Sequence, residues 1–171
     1  MSRGLVHIYT GDGKGKTTAA LGLALRAAGQ GLDVIIIQFL KGDPNCGEHL
    51  FASKHHPFEI VQFTEGNCFT LPEERLRNDV EETMAFAEDT INSGNYQMVI
   101  LDEIFVAINR KLLESSQIIE FIRRKPESIE LVLTGRNAPS EILKMADYVT
   151  EMKMIKHPYT NGIKGRKGVE Y

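Results

Sequence analysis

Short β-branched runs alternate along the chain with longer segments of helical period. Residues 4–9, 33–39, 58–63, 97–103, 129–134 and 148–152 read as strands. The run from Val34 to Phe39 is apolar on both faces, which fits a strand buried inside a parallel sheet. Residues 19–28 are rich in helix formers and stop at Gly29 and Gly31. Residues 45–57 fit a short helix and a turn. Pro72, Glu73 and Glu74 open a long helix, their carboxylates complementing its dipole. Leu76, Val80, Met84, Ala87 and Ile91 line one face of it at core-forming spacing. A further helix is expected over 104–113. Ser115 and Ser116 are candidate N-caps for the next helix, which ends before Pro126. Pro139 begins a helix over 140–146. Strands alternating with helices predict an α/β fold, a mostly parallel central sheet flanked by helices.

The first strand runs into Gly11, Asp12, Gly13, Lys14, Gly15, Lys16, Thr17 and Thr18, and the first helix follows. Strand, glycine-rich turn and helix make a phosphate-binding loop. Glycines let successive N–H groups point inward at a helix N-terminus, where anions are favoured. Lys16 can reach phosphates, and Thr17 offers a hydroxyl to Mg²⁺. The usual G-x-x-x-x-G-K-[ST] spacing would put a glycine at position 10, where this chain has Thr10. The triphosphate is therefore expected to lie differently from its pose in common P-loop ATPases.

A second signal is the apolar run 97–101 ending in Asp102 and Glu103, the Walker B pattern. Either carboxylate can serve the metal; spacing does not choose between them. Gln38, Lys41 and Gly42 lie at or beyond the carboxyl end of the second strand, where ligands of open α/β sheets bind. Arg136 follows the fifth strand, where a guanidinium can clamp phosphate. Phe69 and Leu71 sit on the loop after the third strand and either touch a ligand or fold back on the core. His49, His55 and His56 match no standard metal-ligand spacing and read as a surface cluster.

At 171 residues, with 42% hydrophobic and 25% charged residues, the chain reads as one globular domain. A formal net charge of −3 argues against a nucleic-acid binder. No apolar run is long enough for a membrane span. Cys46 and Cys68 form no C-x-x-C pair and read as reduced thiols. Met1 to Gly4 lead straight into the first strand, so a cytoplasmic protein without a leader is expected. Residues 153–171 are basic and glycine-punctuated. Tyr159, Ile163, Val169 and Tyr171 are spaced so that they could anchor this tail across the site.

Taken together, residues 11–20, Gln38 to Gly42, Leu101 to Glu103, Thr134 to Arg136, Ala138 and Pro139, Ala146 and Asp147, and Val149 to Met152 resemble one family. Lys156 and His157, Gly162 and Ile163, and Lys167 to Tyr171 complete the set. The chain resembles the P-loop ATP:corrinoid adenosyltransferases, from about residue 4 to its last residue. The resemblance implies the P-loop NTPase (RecA-like) fold, with ATP as cosubstrate, Mg²⁺, and cobalamin or another corrinoid as substrate. It implies attack of cob(I)alamin on the ribose 5′ carbon, with triphosphate leaving intact and bound in reverse along the loop. Residues 11–17 would cradle the triphosphate, Lys14 and Lys16 supplying charge. Thr17 and Glu103 would hold Mg²⁺. Phe69 and Leu71 would take the positions of the aromatic wedge that strips the lower axial ligand from cobalt, although the second is often tryptophan and this chain has none. A flavin-type reductase or reduced flavodoxin and a homodimer are further implications. Two rival readings remain at this point: a generic P-loop ATPase or small-molecule kinase, and a non-catalytic nucleotide or adenosylcorrinoid carrier.

Overall fold

The computed structural model describes residues 3–170, so Tyr171 lies outside the described residues. Six strands form one sheet: β1 (Val6–Thr10), β2 (Val34–Gln38), β3 (Glu59–Gln62), β4 (Met98–Asp102), β5 (Glu130–Thr134) and β6 (Tyr148–Glu151). Their order is β3-β2-β4-β5-β1-β6, and every pairing is parallel. The sheet is thus wholly rather than mostly parallel. Parallel neighbours need crossover connections, and six helices are described: α1 (Lys16–Ala28), α2 (Gly47–His55), α3 (Glu73–Asn92), α4 (Ile104–Asn109), α5 (Ser115–Arg124) and α6 (Ser140–Leu143).

The core forms two apolar layers, one on each face of the sheet. Alternation along β2 divides its side chains between them: Ile35 and Ile37 join the larger layer, Val34 and Ile36 the smaller. The larger layer contains the expected stripe of α3, Leu76, Val80, Met84, Ala87 and Ile91. The smaller is built on Ala20, Ala24 and Ala27 of α1, whose methyl side chains let that helix lie close to the strands. Backbone groups of the central strands are satisfied by the ladders, so burial of these apolar runs leaves few polar groups stranded.

Several expected boundaries move for local reasons. The first helix begins at Lys16, inside the phosphate loop, rather than at residue 19. The helix after β4 ends at Asn109, and Lys111 turns into left-handed backbone (φ 57°). Ser115 and Ser116 lie within α5 rather than capping it. The cap is Glu114, whose N–H donates to the Gln117 side chain at 3.0 Å. The helix expected to reach Ala146 stops at Leu143, because Met145 and Ala146 donate to residues three positions back and the turn tightens. Among the described residues no helix is long and apolar enough to cross a membrane. Beyond β6 the chain is irregular, apart from one 3₁₀ turn at Pro158–Asn161.

Candidate active site

The carboxyl ends of β1, β2, β4 and β5 converge on the phosphate loop. Gly11 (φ 98°) and Gly15 (φ 116°) hold left-handed backbone that an L side chain resists. A Cβ on Gly11 would come within 2.4 Å of the Met152 carbonyl oxygen. That same oxygen accepts the Gly13 N–H at 2.7 Å, so the residue after β6 braces the loop from outside. Gly11→Ala is expected to destabilise the protein by about 1–3 kcal/mol. The readout is thermal unfolding, with Tm falling roughly 2–4 °C per kcal/mol in a domain of this size. Thr10, standing at the missing glycine position, uses its hydroxyl to accept the Ala138 N–H at 3.1 Å.

Lys16 is 6% exposed, and its Nζ donates to the carbonyls of Gly11 and Gly13, both at 2.8 Å. Burial lowers the Lys16 pKa, with the nearby Glu103 charge opposing that shift. Lys14 reaches outward instead, donating to the Val169 carbonyl at 3.1 Å and the Glu170 carboxylate at 3.0 Å. The Asp12 carboxylate accepts the Met154 N–H at 3.1 Å, which ties the loop to the start of the tail. Thr18 lines the cleft beside Thr17.

Asp102, 1% exposed at the end of β4, is the hub beneath the loop. Its Oδ1 accepts from the Thr17 hydroxyl at 2.9 Å and the Thr134 hydroxyl at 2.7 Å. Its Oδ2 accepts from Gln38 Nε2 at 3.0 Å and Lys41 Nζ at 2.6 Å. Lys41 also donates to Thr17 Oγ1 at 3.2 Å. Burial would lower the Lys41 pKa, but the Asp102 charge and hydrogen bond outweigh it and the net shift is upward. Gln38 is fixed in turn: its Oε1 accepts from Gln62 Nε2 at 2.7 Å and lies 2.8 Å from His49 Nε2.

The Glu103 side chain makes no hydrogen bond to this network among the described residues. The residue takes left-handed backbone (φ 62°), donates its N–H to the Thr134 hydroxyl at 2.9 Å, and lines the cleft with its side chain. Burial raises its pKa, and the neighbouring Asp102 adds to the rise. Arg136 lines the same cleft, its carbonyl held by the Asn109 side-chain amide at 2.7 Å.

Two cavities meet here. The phosphate cleft, about 770 Å³, runs from the loop to apolar residues Leu21, Phe51 and Phe58, with His157 and residues 168–170 of the tail on its rim. A second cavity of about 710 Å³ is lined by residues 40–46 and 66–68. Both sizes suit small-molecule sites. A smaller hollow of about 280 Å³ beside α3 and the start of α5 shares no residue with either.

Phe69 lies at its loop tip, 87% exposed, with its N–H donating to Asn67. Leu71 is half-buried and packs against the larger core layer. The sequence-predicted residues of the loop, β2, β4 and β5 are brought together; Phe69 lies on the loop that lines the second cavity through Asn67 and Cys68. His49 contacts Gln38, whereas His55 packs its ring against Phe51 (centroids 4.8 Å apart). Sequence reasoning did not assign Thr134, Gln62 or Glu48 to the site. Thr134 ends the fifth strand as its one hydroxyl residue, the single signal that the sequence carries for it.

A glycine-rich loop on β1, an acidic β4, and one strand between them define a P-loop nucleotide-binding protein. The fold matches a KaiC-like protein from Pyrococcus horikoshii with a TM-score of 0.58 at 18% identity, over 88% of this chain and 72% of that one. Residues 2–171 match the family described as ATP:corrinoid adenosyltransferase BtuR/CobO/CobP, and the chain belongs to that family. A corrinoid adenosyltransferase from Sinorhizobium is 36% identical over 99% of this chain and 81% of its own length. A corrinoid adenosyltransferase from Escherichia coli K12 is 31% identical over 99% of this chain and 86% of its own length.

Proposed function

We propose that this chain, an adenosyltransferase with ATP and a corrinoid as substrates, uses its phosphate loop as the leaving-group site. The observation that carries this reading is the pair of adjoining cavities. They share Lys41, Glu48 and Glu170, so a molecule extended along the phosphate cleft meets the second cavity at that junction. The triphosphate lies against residues 11–18, with Lys14, Lys16 and Arg136 around it. The ribose reaches the junction, and the corrinoid occupies the second cavity.

Cobalt attacks the 5′ carbon with its electron pair; the C5′–O bond breaks, and its electrons leave with triphosphate. No protein nucleophile or general base is called for. The protein contributes by aligning the two reactants and by compensating the charge that develops on the leaving oxygen.

The donor set suits Mg²⁺, a hard cation that prefers oxygen ligands. Thr17 Oγ1 and the carboxylates of Asp102 and Glu103 are all oxygen donors, and an ammonium already lies between Asp102 and Thr17. Asp102 is engaged by four protein donors, whereas the Glu103 side chain has no hydrogen bond among the described residues. Glu103 and Thr17 would therefore hold the metal, and Asp102 would orient Thr17. The metal would supply charge neutralisation at the triphosphate.

Phe69 would press on a corrinoid face as the wedge, a reading supported by its exposure at the loop tip. Leu71 supports that loop from the core side and supplies apolar surface behind it. A flavin-type reductase or reduced flavodoxin would supply electrons to the corrinoid, in adenosylcobalamin synthesis or salvage in the cytoplasm. The functional unit is read as a homodimer, each chain being a single domain with the described part of its tail, residues 153–170, folded over the site. Incubation with ATP, Mg²⁺ and chemically reduced cobalamin tests the reaction. Adenosylcobalamin and triphosphate should appear in equal amounts; free phosphate or ADP without a cobalt–carbon bond would sink the reading.

A further inference from the structure

Resting on that reading, a hydrogen-bond chain leads from helix α2 to the hub beneath the phosphate loop. Strand register sets Gln38 of β2 between Asp102 of β4 and Gln62 of β3. Gln38 is fully buried, so bulk water has no access to either end of its amide. Asp102, paired with the Lys41 ammonium, only accepts hydrogen bonds. The Gln38 amide nitrogen must therefore face Asp102, at 3.0 Å. That turns its oxygen toward Gln62 Nε2 at 2.7 Å and His49 Nε2 at 2.8 Å, and both of those nitrogens must donate. Burial lowers the His49 pKa from the ordinary histidine value, with the Glu48 charge opposing the shift and Lys41 adding to it. The ring is thus neutral at neutral pH and carries one proton, which sits on Nε2. Every bond in the chain has a fixed direction: His49 donates to Gln38, and Gln38 donates to Asp102.

Helix α2 is a wall shared by the two cavities. Gly47, Glu48 and Phe51 line the phosphate cleft, while Glu48 and the preceding Cys46 line the second cavity. Among its described residues only Ala52 is buried, so packing alone holds this helix weakly. The His49 bond to Gln38 ties it to the sheet beside the phosphate loop. At the other end of the chain, Asp102 holds the Thr17 hydroxyl and the Lys41 ammonium. We propose that His49 is a positioning residue for adenosyl transfer: it locks the Gln38 amide, and through it the placement of Asp102, Thr17 and Lys41 against the wall of both cavities. Gln62 supplies a second donor to the same oxygen, so the fold survives removal of His49.

Heteronuclear NMR of the imidazole nitrogens at neutral pH, with the His49 signal assigned by its absence from His49→Gln, should show the Nε2–H tautomer. The Nδ1–H tautomer would overturn the assignment. His49→Phe keeps a ring and removes the donor, whereas His49→Gln gives up the ring and restores an N–H at a similar reach. His49→Phe should lower kcat about 3–10-fold, the worth of one neutral hydrogen bond, with KM for ATP changed less than about twofold. His49→Gln should recover most of that rate. A packing role predicts the reverse order, phenylalanine near wild type and glutamine impaired; that order overturns the proposal, as does an unchanged kcat in His49→Phe. In a Gln38→Leu background the same His49→Phe change should have no further effect, because the bond it removes is already gone. A full additional loss there would show that His49 acts elsewhere. Thermal scans check the folding of each variant, and His49→Leu replaces His49→Phe should the latter fail to fold. Absence of cobalt alkylation by wild type counts against the proposed chemistry, while the tautomer and the displacement of the Gln38 side-chain amide signals in His49→Phe still decide the hydrogen-bond chain.

Discussion

Lys16→Ala lowers kcat/KM for adenosyl transfer by about 10²–10³-fold, the usual cost of removing one preorganised group aimed at developing charge. The ammonium donates to the Gly11 and Gly13 carbonyls, and burial lowers its pKa while the Glu103, Asp12 and Asp102 carboxylates oppose that shift. None of those carboxylates is hydrogen-bonded to it among the described residues, and in the proposed pose triphosphate is the anion that it bonds directly. Because this partner gains charge as the C5′–O bond breaks, the loss should fall on kcat as well as on KM. Lys16→Arg keeps the charge but not the compact shape that fits between two carbonyls, and it should recover only part of the rate. Steady-state kinetics with reduced cobalamin provide the check. A fall of less than about threefold in kcat/KM for the alanine variant would remove Lys16 from the leaving-group site.

Asp102→Ala is expected to cost about 3–5 kcal/mol of stability, the range for breaking a buried charge pair from one side. The substitution strips four donors at once: Thr17, Gln38, Lys41 and Thr134. Gln38 and Thr134 are fully buried and have no route to water as compensation. Urea denaturation measures the loss. Asp102→Asn keeps the shape and removes the charge, and it separates the two contributions through pH. The Lys41 pKa is raised in the folded protein, so the pair's stabilisation is complete below the ordinary lysine value of 10.5 and fades as pH climbs through the folded value. Wild type should therefore lose stability on the alkaline side of pH 10.5 more steeply than the asparagine variant. Equal slopes would show that Asp102 is not the source of the shift.

The parts of this site that are readable from sequence are those whose chemistry is local. Glycines, lysines and hydroxyls of residues 11–18 act within one turn of chain, and the apolar run ending in Asp102 and Glu103 carries its own label. The rest depends on strand order. Thr134 lies 32 residues from Asp102 and becomes its hydrogen-bond partner only because β5 is inserted between β1 and β4. Gln62 meets Gln38 because β3 pairs with β2 in a register that sets those two residues side by side. No periodicity reports either fact. The choice between Asp102 and Glu103 is open in the sequence for the same reason. The proposed assignment rests on tertiary geometry: Glu103 leaves the strand with φ 62° and lines the cleft, while Asp102 is held by four protein donors. Leu71 illustrates the converse: an apolar residue on a loop reads equally as ligand contact or as core, and its packing against the larger layer is a tertiary outcome.

The position of β1 has a consequence for how the protein comes into being. Its two neighbours in the sheet are β5 and β6, both from the last third of the chain. β1, made before the other five strands, therefore has no partner in this sheet until residue 134 has followed it, and no second partner until residue 151. Pairings so distant in sequence are slow to form, because closing the intervening chain costs entropy before any contact repays it. β2, β3 and β4 can assemble first, leaving the glycine-rich segment open and unable to grip a nucleotide. Nucleotide affinity thus arrives with the final steps of folding, and a chain shortened before β6 should form much of its helical structure yet bind no ATP.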